Sequence, residues 1–579
     1  MALALLLLVA RVSADPESDS APYRVDFRGA PEWFMRARLA QVSETAALKK
    51  SPPPTDRLLR WRAEQDLPAL HDVLRAAGFH GARIDISLQT GPPRRVVFQI
   101  NAGRRYRVGA IELDAAPLRT PSPQEVGLQS GMPARAGELL AAEESFLRRI
   151  RRQGHPFPRW IERAYRLDED RHRIDIRWRV NPGPAARWGE SAITGLVRVS
   201  ESFVRNEFTF APGDAYDPTE LDGTRTRLLR SGLFSAVTLL PAAELDEQSR
   251  LPLALTLRER RPRTVSAGVY YTTDEGAGAQ AGWEHRNLGG RAERLRLQGT
   301  YAEASRAVEA RFTQPQFGWR RQDLLLTARA AEDEPDAYRS RNFRLSAQLG
   351  REISPVFLAR AGAAFRLSEV DQLDAGENYV YLSVPVESDW NTSGDPLDPR
   401  RGHRIRARAE PFVDLESTAY AFTKLAATIN RYQHLTRDRN WLLALRATAG
   451  VILDARTFNI PADERYYAGG GSSVRGYAYQ SVGPLQDGDP VGGRSLLEVS
   501  CELRAQVSDT LGFAAFVDGG TAYASETPDF DEPFRWGTGV GLRYFTAVGP
   551  LRADIGFPLD RRSDIDRAYQ FYLSLGQSF

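Results

Sequence analysis

The chain has 579 residues, a length that excludes a single ordinary domain and predicts several. Its 77 lysine and arginine residues nearly balance 74 aspartate and glutamate residues, so the net charge of +3 gives no indication of nucleic-acid binding. A single cysteine, Cys501, excludes an intramolecular disulfide framework and a cysteine-based zinc site.

The first predicted element is an export signal. Residues 1–14 contain the apolar run MALALLLLVA, which is too short to cross a bilayer as a helix, followed by RVSA. The small residues at the end of this segment predict cleavage before Asp15. A buried N-terminal helix is the alternative, but the polar stretch DPESDSAP that follows disfavours it. The sequence therefore predicts an exported protein.

Residues 22–262 contain one pattern three times: an amphipathic helix ends in glycine and a bulky residue, and two strands follow. The helices end at three glycines that recur at a nearly constant interval, Gly78, Gly154 and Gly232. Glycine suits the left-handed cap that terminates a helix. The constant period argues against three coincidental units. We therefore predict three small α+β modules at residues 22–107, 108–185 and 186–262.

Period-two alternation marks half-buried strands within these modules. In the first module, Ile84, Ile86 and Leu88 lie on one face of a predicted strand. The same module contains the insertion ALKKSPPPTDRLLRW at residues 47–61, and its proline run is expected to interrupt the helix.

After Pro262 the helical pattern stops, and alternating segments of roughly ten residues follow, separated by turn residues. This rhythm is typical of a transmembrane β-barrel, although a soluble sandwich also alternates in this way. The final strand, YQFYLSLGQSF, favours the barrel, because an aromatic residue that ends the last strand is a barrel-assembly signal. The alternation places the residues of that signal on one face: Phe571, Leu573, Leu575 and Phe579. At about ten residues per strand, residues 263–579 accommodate an antiparallel β-barrel of roughly sixteen strands.

The glycine-rich stretches do not fit nucleotide-binding motifs. AGGGSSVRG lacks the lysine and hydroxyl residue of a P-loop, and the glycines of GTGVGLRY recur every second residue, which is a strand rhythm. The seven histidines lack the paired spacing of a helical metal site, and no Gly-x-Ser-x-Gly elbow is present. We therefore expect a protein that is not an enzyme and has no cofactor or metal.

A glycine-rich segment at residues 466–480 carries one arginine, Arg475, which raises the question of its partner. In the strand that contains Phe516, alternation turns Asp518 toward the barrel interior. The next strand turns three glycines inward, Gly537, Gly539 and Gly541. A row of glycines on one strand face indicates that another backbone comes close. The residues alone leave two hypotheses open: either the loop folds inward so that Arg475 meets Asp518, or Arg475 is solvated and the glycines relieve barrel curvature.

The segment YYAGGGSSVRGYAYQSVGP resembles the sixth-loop motif of the BamA/TamA superfamily of outer-membrane assembly proteins. The residues that match the family's VRGY are Val474, Arg475, Gly476 and Tyr477. Those that match its F-x-D-x-G strand motif are Phe516, Asp518 and Gly520. Residues 537–559 resemble the strand pair that follows, and the three soluble modules resemble POTRA domains. The resemblance implies POTRA modules followed by a barrel, with the arginine paired to the strand aspartate inside it.

This resemblance also implies a function and partners. Three POTRA modules are typical of the TamA branch, whose members insert or translocate β-barrel proteins such as autotransporters in the outer membrane of Gram-negative bacteria. Their partner is a TamB-like protein anchored in the inner membrane, and a role in lipid transport is also implied. The barrel is expected to open laterally between its first strand, at residues 264–273, and its last.

Two other functions remain as alternatives to an assembly factor. A two-partner secretion transporter exports a soluble protein, but such transporters usually have two POTRA modules and a plug helix. A non-transporting envelope scaffold would use the same modules for binding alone. Unfolded outer-membrane proteins and outer-membrane lipids are the expected ligands of an assembly factor, and no nucleic acid is expected.

Overall fold

The computed structural model describes residues 23–32, 34–89, 91, 93–272, 276–373, 375–395, 397–416, 421–436, 440–454, 460–546, 549–575, 577 and 579. The predicted export signal at residues 1–14 lies outside the described residues. The chain divides into two compact units. One comprises residues up to 192 with 209–224 and 239–255, and the other comprises 193–208, 225–238 and 256–579.

The N-terminal part contains three sheets of three strands each, with the orders β1-β3-β2, β4-β6-β5 and β7-β9-β8. In each sheet, the strand that comes last in the sequence lies in the centre. The strands are β1 (Tyr23–Arg28), β2 (Arg83–Gln89), β3 (Arg94–Asn101), β4 (Arg107–Asp114), β5 (Arg159–Asp168), β6 (Arg173–Asn181), β7 (Arg187–Thr194), β8 (Phe234–Pro241) and β9 (Arg250–Glu259). The helices are α1 (Met35–Val42), α2 (Glu44–Ala47), α3 (Asp56–Ala76), α4 (Ala136–Arg151), α5 (Glu201–Asn206) and α6 (Thr219–Arg230).

The glycines that follow the three longer module helices have the backbone conformation that the repeat predicts. Gly78, Gly154 and Gly232 adopt φ values of +93°, +95° and +74°, the left-handed region in which glycine costs least. The proline-containing insertion separates α2 from α3, which begins at Asp56. In the first module, the buried leucines of α3 belong to the same hydrophobic core as buried residues of the central strand β3.

The C-terminal part is one large antiparallel sheet that runs in order from β10 to β28. Its strands are β10 (Arg263–Thr272), β11 (Gly276–His285), β12 (Arg294–Ala302), β13 (Ser305–Pro315), β14 (Gln322–Asp333), β15 (Arg339–Ser354), β16 (Phe357–Gln372), β17 (Ala375–Ser383), β18 (Val386–Asn391), β19 (Gly402–Asp414), β20 (Phe422–His434), β21 (Trp441–Leu453), β24 (Ser495–Gln506), β25 (Leu511–Tyr523), β26 (Arg535–Thr546), β27 (Gly549–Pro558) and β28 (Gln570–Leu575). A small hairpin in the connection between β21 and β24 contributes β22 (Leu485–Gln486) and β23 (Asp489–Pro490).

The sheet contains 17 strand segments, but two of them form one interrupted strand. Both β17 and β18 pair with β16 on one side and with β19 on the other. Pro385 lies between them, and its missing N–H group cannot contribute to the ladder. This confirms the prediction of about sixteen strands.

Apolar side chains cover the outer face of the large sheet. Val269, Val308, Val540 and Phe571 are 89%, 64%, 57% and 57% exposed. Many of the inward-facing positions carry charged or polar residues instead. An apolar exterior around a polar interior suits a barrel whose outer surface contacts lipid.

Strands β10 and β28 lie beside each other at the two ends of the ladder order. Within the described ranges no ladder of backbone hydrogen bonds joins them, whereas every other neighbouring pair in this order is hydrogen-bonded. We call the junction of β10 and β28 the seam.

In the part of the chain that the structure describes, no helix is both long and apolar enough to cross a membrane.

Candidate functional site

The connection between β21 and β24, described from residue 460 to 494, folds into the space enclosed by the large sheet; we call it the lumenal loop. Its first turn, Ala462–Glu464, is held by side chains of the sheet wall. Arg366 donates hydrogen bonds to both Asp463 and Glu464. Lys424 adds a bond of 2.7 Å from its Nζ to the Glu464 carbonyl oxygen. We call residues 462–464 the loop base. These contacts join it to β16 and β20.

We call residues 471–477 of the lumenal loop the loop tip. It is held by Arg475, which is 1% exposed. Its Nε donates to the Asp518 Oδ2 at 2.6 Å, and its Nη2 donates to the Asp518 Oδ1 at 3.0 Å. The structure therefore brings Arg475 and Asp518 together in a two-bond pair. The Arg475 Nη1 also donates to the Glu502 Oε2 at 2.6 Å and to the Asp554 Oδ2 at 2.9 Å. One guanidinium thus connects β24, β25 and β27.

Three further arginines complete the charge cluster around Arg475. The Arg504 Nε donates to the Glu502 Oε1 at 2.7 Å, and Arg543 contacts both Glu502 and Asp554. The Arg552 Nε lies 3.7 Å from the Asp554 Oδ2. Four guanidinium groups therefore surround three carboxylates, so each of these buried carboxylates has at least one cationic partner. Pairing matters because a buried charge left without a partner is strongly destabilising.

An aromatic ring lies beneath the Arg475 guanidinium. The Arg475 Cζ is 3.4 Å from the centre of the Phe516 ring, which is a cation–π contact. Phe516 and Asp518 point to the same side of β25, as period-two alternation requires. The predicted strand motif therefore contributes both the ring and the carboxylate.

The predicted glycine row admits three different neighbours. A Cβ at Gly537 would lie 1.9 Å from the Arg475 carbonyl oxygen, so this glycine makes room for the loop backbone. A Cβ at Gly539 would instead lie 2.4 Å from the Phe516 ring, and one at Gly541 would meet the Asp554 carboxylate at 1.9 Å. The expectation that all three admit the loop backbone is therefore wrong for Gly539 and Gly541, because the strand's own neighbours fill that space.

The remaining motif residues pack within the lumenal loop and against the wall. Val474 and Tyr477 are fully buried, and the Tyr477 hydroxyl donates to the Trp536 carbonyl oxygen at 3.1 Å. A Cβ at Gly520 would lie 2.9 Å from the Val474 Cγ2. Gly476 has a φ of +107°, which a residue with a side chain would adopt only with strain.

The residues of the predicted barrel-assembly signal occupy different environments. Phe571 and Leu573 are exposed on the outer face of β28, whereas the side chain of Leu575 lies outside the described residues. Phe579 does not share their face: its ring packs against Arg446 and Arg504, at 5.2 and 5.5 Å from their Cζ atoms. The expected common face fails here because β28 ends at Leu575 and alternation no longer directs the side chain.

Glu498 and Glu502 also face inward on β24 and are the other candidate partners of Arg475, whereas the sequence analysis does not identify Asp554. Glu502 bonds Arg475, while Glu498 accepts a hydrogen bond from Ser473. Asp554 faces inward between Arg552 and Gly556, so alternation along β27 was a signal that could have found it. Among the described residues, no group of three or more His, Cys, Asp or Glu side chains is placed to hold a metal ion.

Two family models match the chain. One, described as the Omp85 superfamily domain, matches residues 287–579. The other is a POTRA model described as a surface antigen variable number repeat, and it matches residues 186–260.

Relatives of known name match over most of the chain. It is 24% identical over 512 residues to the outer membrane protein assembly factor BamA of Nitratidesulfovibrio vulgaris, covering 84% of this chain and 63% of that relative. It is 22% identical over 605 residues to the protein of the same name from Neisseria meningitidis serogroup B, covering 89% of this chain and 72% of that relative. The chain therefore spans less than two thirds of the length of the first of these relatives.

A solved structure shares the fold. The crystal structure of BamA from Haemophilus ducreyi lacking POTRA domains 1–3 superposes with a TM-score of 0.65 at 17% identity. The match covers 81% of this chain and 99% of that chain.

Proposed function

The chain belongs to the Omp85 superfamily, and we propose that it is an assembly factor that inserts β-barrel proteins into the outer membrane. Its barrel lies in the outer membrane and its POTRA modules lie in the periplasm. The observation that carries the proposal is the seam. Strands β10 and β28 lie side by side without a described ladder, although the rest of the sheet is continuously bonded.

An unbonded seam gives an assembly factor two capacities. The edge of a strand that lacks a partner presents free N–H and C=O groups, which can pair with an incoming strand. Among the described residues no backbone ladder has to break when the seam parts, so a client can pass sideways into the lipid. In this proposal the protein is not an enzyme, and the folding of the client itself supplies the driving force.

The finer assignment to a TamA-type protein is part of the same proposal. The chain carries three sheets of one topology before the barrel, which is the feature that favours it. A TamB-like partner would bind the periplasmic modules, and autotransporters would be among the clients. Crosslinking from cysteines introduced on the first module, followed by identification of the captured protein, tests the partner.

A reconstitution experiment tests the assembly function. The purified protein is placed in liposomes, a urea-unfolded outer-membrane β-barrel protein is added, and its folding is followed by the gel shift between boiled and unboiled samples. We expect faster folding than in empty liposomes, and a loss of this acceleration for Arg475→Ala. A secretion transporter or a binding scaffold would leave the client's folding rate unchanged.

A further inference from the structure

One side chain of the last strand reaches into the lumenal loop. The Tyr572 hydroxyl on β28 accepts a hydrogen bond from the Gly476 N–H at 2.9 Å and donates one to the Tyr477 carbonyl oxygen at 2.9 Å. Tyr572 is 2% exposed. A Cβ at Gly471 would lie 2.9 Å from the Tyr572 Cδ1, so the tyrosine ring packs closely against Gly471. The phenol therefore contacts both sides of the loop tip.

These two hydrogen bonds connect elements with different attachments. The loop tip is fixed to β24, β25 and β27 through Arg475, and the loop base is fixed to β16 and β20. Strand β28, by contrast, has six residues and a ladder only to β27 among the described residues. A short strand at the end of a ladder depends more than others on side-chain contacts for its position.

We propose that the Tyr572 hydroxyl is a positioning group that couples docking of the lumenal loop to closure of the seam. With the loop docked, the Gly476 N–H and the Tyr477 carbonyl hold β28 in position beside β10. When Arg475 separates from the carboxylates that bind it, the loop tip undocks. Both hydrogen bonds of the Tyr572 hydroxyl are then lost together, and β28 is free to move. The inference rests on the proposed function, because seam movement serves a protein that admits clients laterally.

The test measures the seam directly and needs no client. Nitroxide labels are attached to cysteines introduced at Val269 and Leu573 in a Cys501→Ser background. Both side chains are exposed on the outer face, and the labels report the populations of short and long distances across the seam. We expect Tyr572→Phe, which keeps the ring, to raise the ratio of long to short distances about three- to tenfold, the effect of losing one neutral hydrogen bond or somewhat more. The matched control is Tyr569→Phe, at an exposed tyrosine next to the same strand.

Combining two substitutions distinguishes a specific connection between the loop tip and β28 from a general loosening of the barrel. Arg475→Lys, which weakens loop docking, should open the seam in the parent but change it little further when combined with Tyr572→Phe, because both substitutions break one connection. Independent, multiplicative effects of the two substitutions would overturn the proposal. So would a Tyr572→Phe seam indistinguishable from the Tyr569→Phe control.

A second variant keeps the test decisive if Tyr572→Phe folds poorly. Gly471→Ala leaves the hydroxyl in place but directs a methyl group at the ring, so it should also open the seam. A closed seam in folded Gly471→Ala would contradict the proposal. Because the labels report without a client, failure here leaves the liposome test of assembly unaffected, and failure of that test leaves this coupling measurable.

Discussion

Arg475 and Asp554 are 79 positions apart in the chain, yet the Arg475 Nη1 donates a hydrogen bond to the Asp554 Oδ2 at 2.9 Å. Asp554 lies on β27, the strand that pairs with β28. The loop tip is therefore bound to the part of the barrel next to the seam, and not only to the strand that carries the F-x-D-x-G motif. This arrangement makes loop docking a property of three strands at once.

Replacing Arg475 alone by a neutral residue should destabilise the barrel more than replacing both Arg475 and Asp518 by neutral residues. Arg475 is the only ion-pair partner of Asp518 among the described residues, whereas Glu502 and Asp554 retain Arg543. Arg475→Met should therefore lower the free energy of unfolding by about 3–5 kcal/mol, the cost of stranding a buried charge. Arg475→Met with Asp518→Asn should recover part of that loss, as measured by urea titration of the heat-modifiable folded band.

A distant ion pair provides the control for this cycle. Among the described residues, Glu410 accepts hydrogen bonds from Arg344, Arg408 and Ser383, and none from the loop tip. Glu410→Gln combined with Arg475→Met should be additive to within about 0.5 kcal/mol. Equal additivity for Asp518→Asn would show that the two charges do not interact.

Gly537→Ala should displace the loop tip, because its Cβ would lie 1.9 Å from the Arg475 carbonyl oxygen. Overpacking of this kind typically costs about 1–3 kcal/mol. The readout is the rate at which an added protease cleaves the loop, which should rise. Gly299→Ala is the matched control, since a Cβ there meets nothing within 4 Å. If both variants were cleaved at the parent's rate, Gly537 would not be required for docking.

Arg366 should matter more to the loop base than Lys424 does. Arg366 forms ion pairs with both Asp463 and Glu464, whereas among the described residues Lys424 forms an ion pair with Glu464 only. Arg366→Met should therefore lower the free energy of unfolding more than Lys424→Met, by about 1 kcal/mol or more. Arg341→Met, at an exposed ion pair on the outer face, should change it by less than about 1 kcal/mol. The reverse order for Arg366 and Lys424 would contradict the assignment of the loop base.

Docking of α5 on a barrel turn should weaken as the pH rises. The Gln316 Nε2, in the turn after β13, donates to the Glu207 Oε1 at 2.6 Å. Burial raises the pKa of Glu207 above its ordinary value of 4.5, so the docked state favours the protonated acid. The contribution to docking is therefore complete below about pH 4.5 and is lost as the pH rises through the docked-state pKa.

Hydrogen exchange of residues 201–207 at several pH values measures this dependence. Glu207→Gln should remove the pH dependence and keep the protection seen at low pH, since a neutral amide replaces the protonated acid. Glu201→Gln, at an exposed glutamate paired with Arg205, should leave the dependence intact. A pH dependence that survives in Glu207→Gln would assign it to another group.

Local patterns in the sequence predicted the architecture well, for physical reasons. A left-handed φ at a helix end selects glycine, so Gly78 and its two counterparts mark the modules. Alternation follows from strand geometry, so it gave the barrel and the inward direction of Asp518. The strand count was close because strand length is limited by membrane thickness.

The contacts that the sequence did not predict depend on the register between strands and on where the strands end. The contact of Arg475 with Asp554 requires the relative shift of β24, β25 and β27, which no single strand encodes. The neighbours of Gly539 were missed because they come from the adjoining strands. Phe579 lies beyond the last ladder residue, where period-two alternation no longer applies.

The central claim is that the barrel assembles clients by opening at its seam, and locking that seam tests it most directly. Cysteines at Val269 and Leu573, in a Cys501→Ser background, are oxidised to a disulfide, and the locked protein is compared with its reduced form in the liposome folding assay. Should these two positions be out of register, neighbouring outward positions on β10 and β28 replace them. Lateral opening predicts that the locked barrel loses its acceleration of client folding and that reduction restores it. Equal acceleration by the locked and reduced forms would contradict the claim.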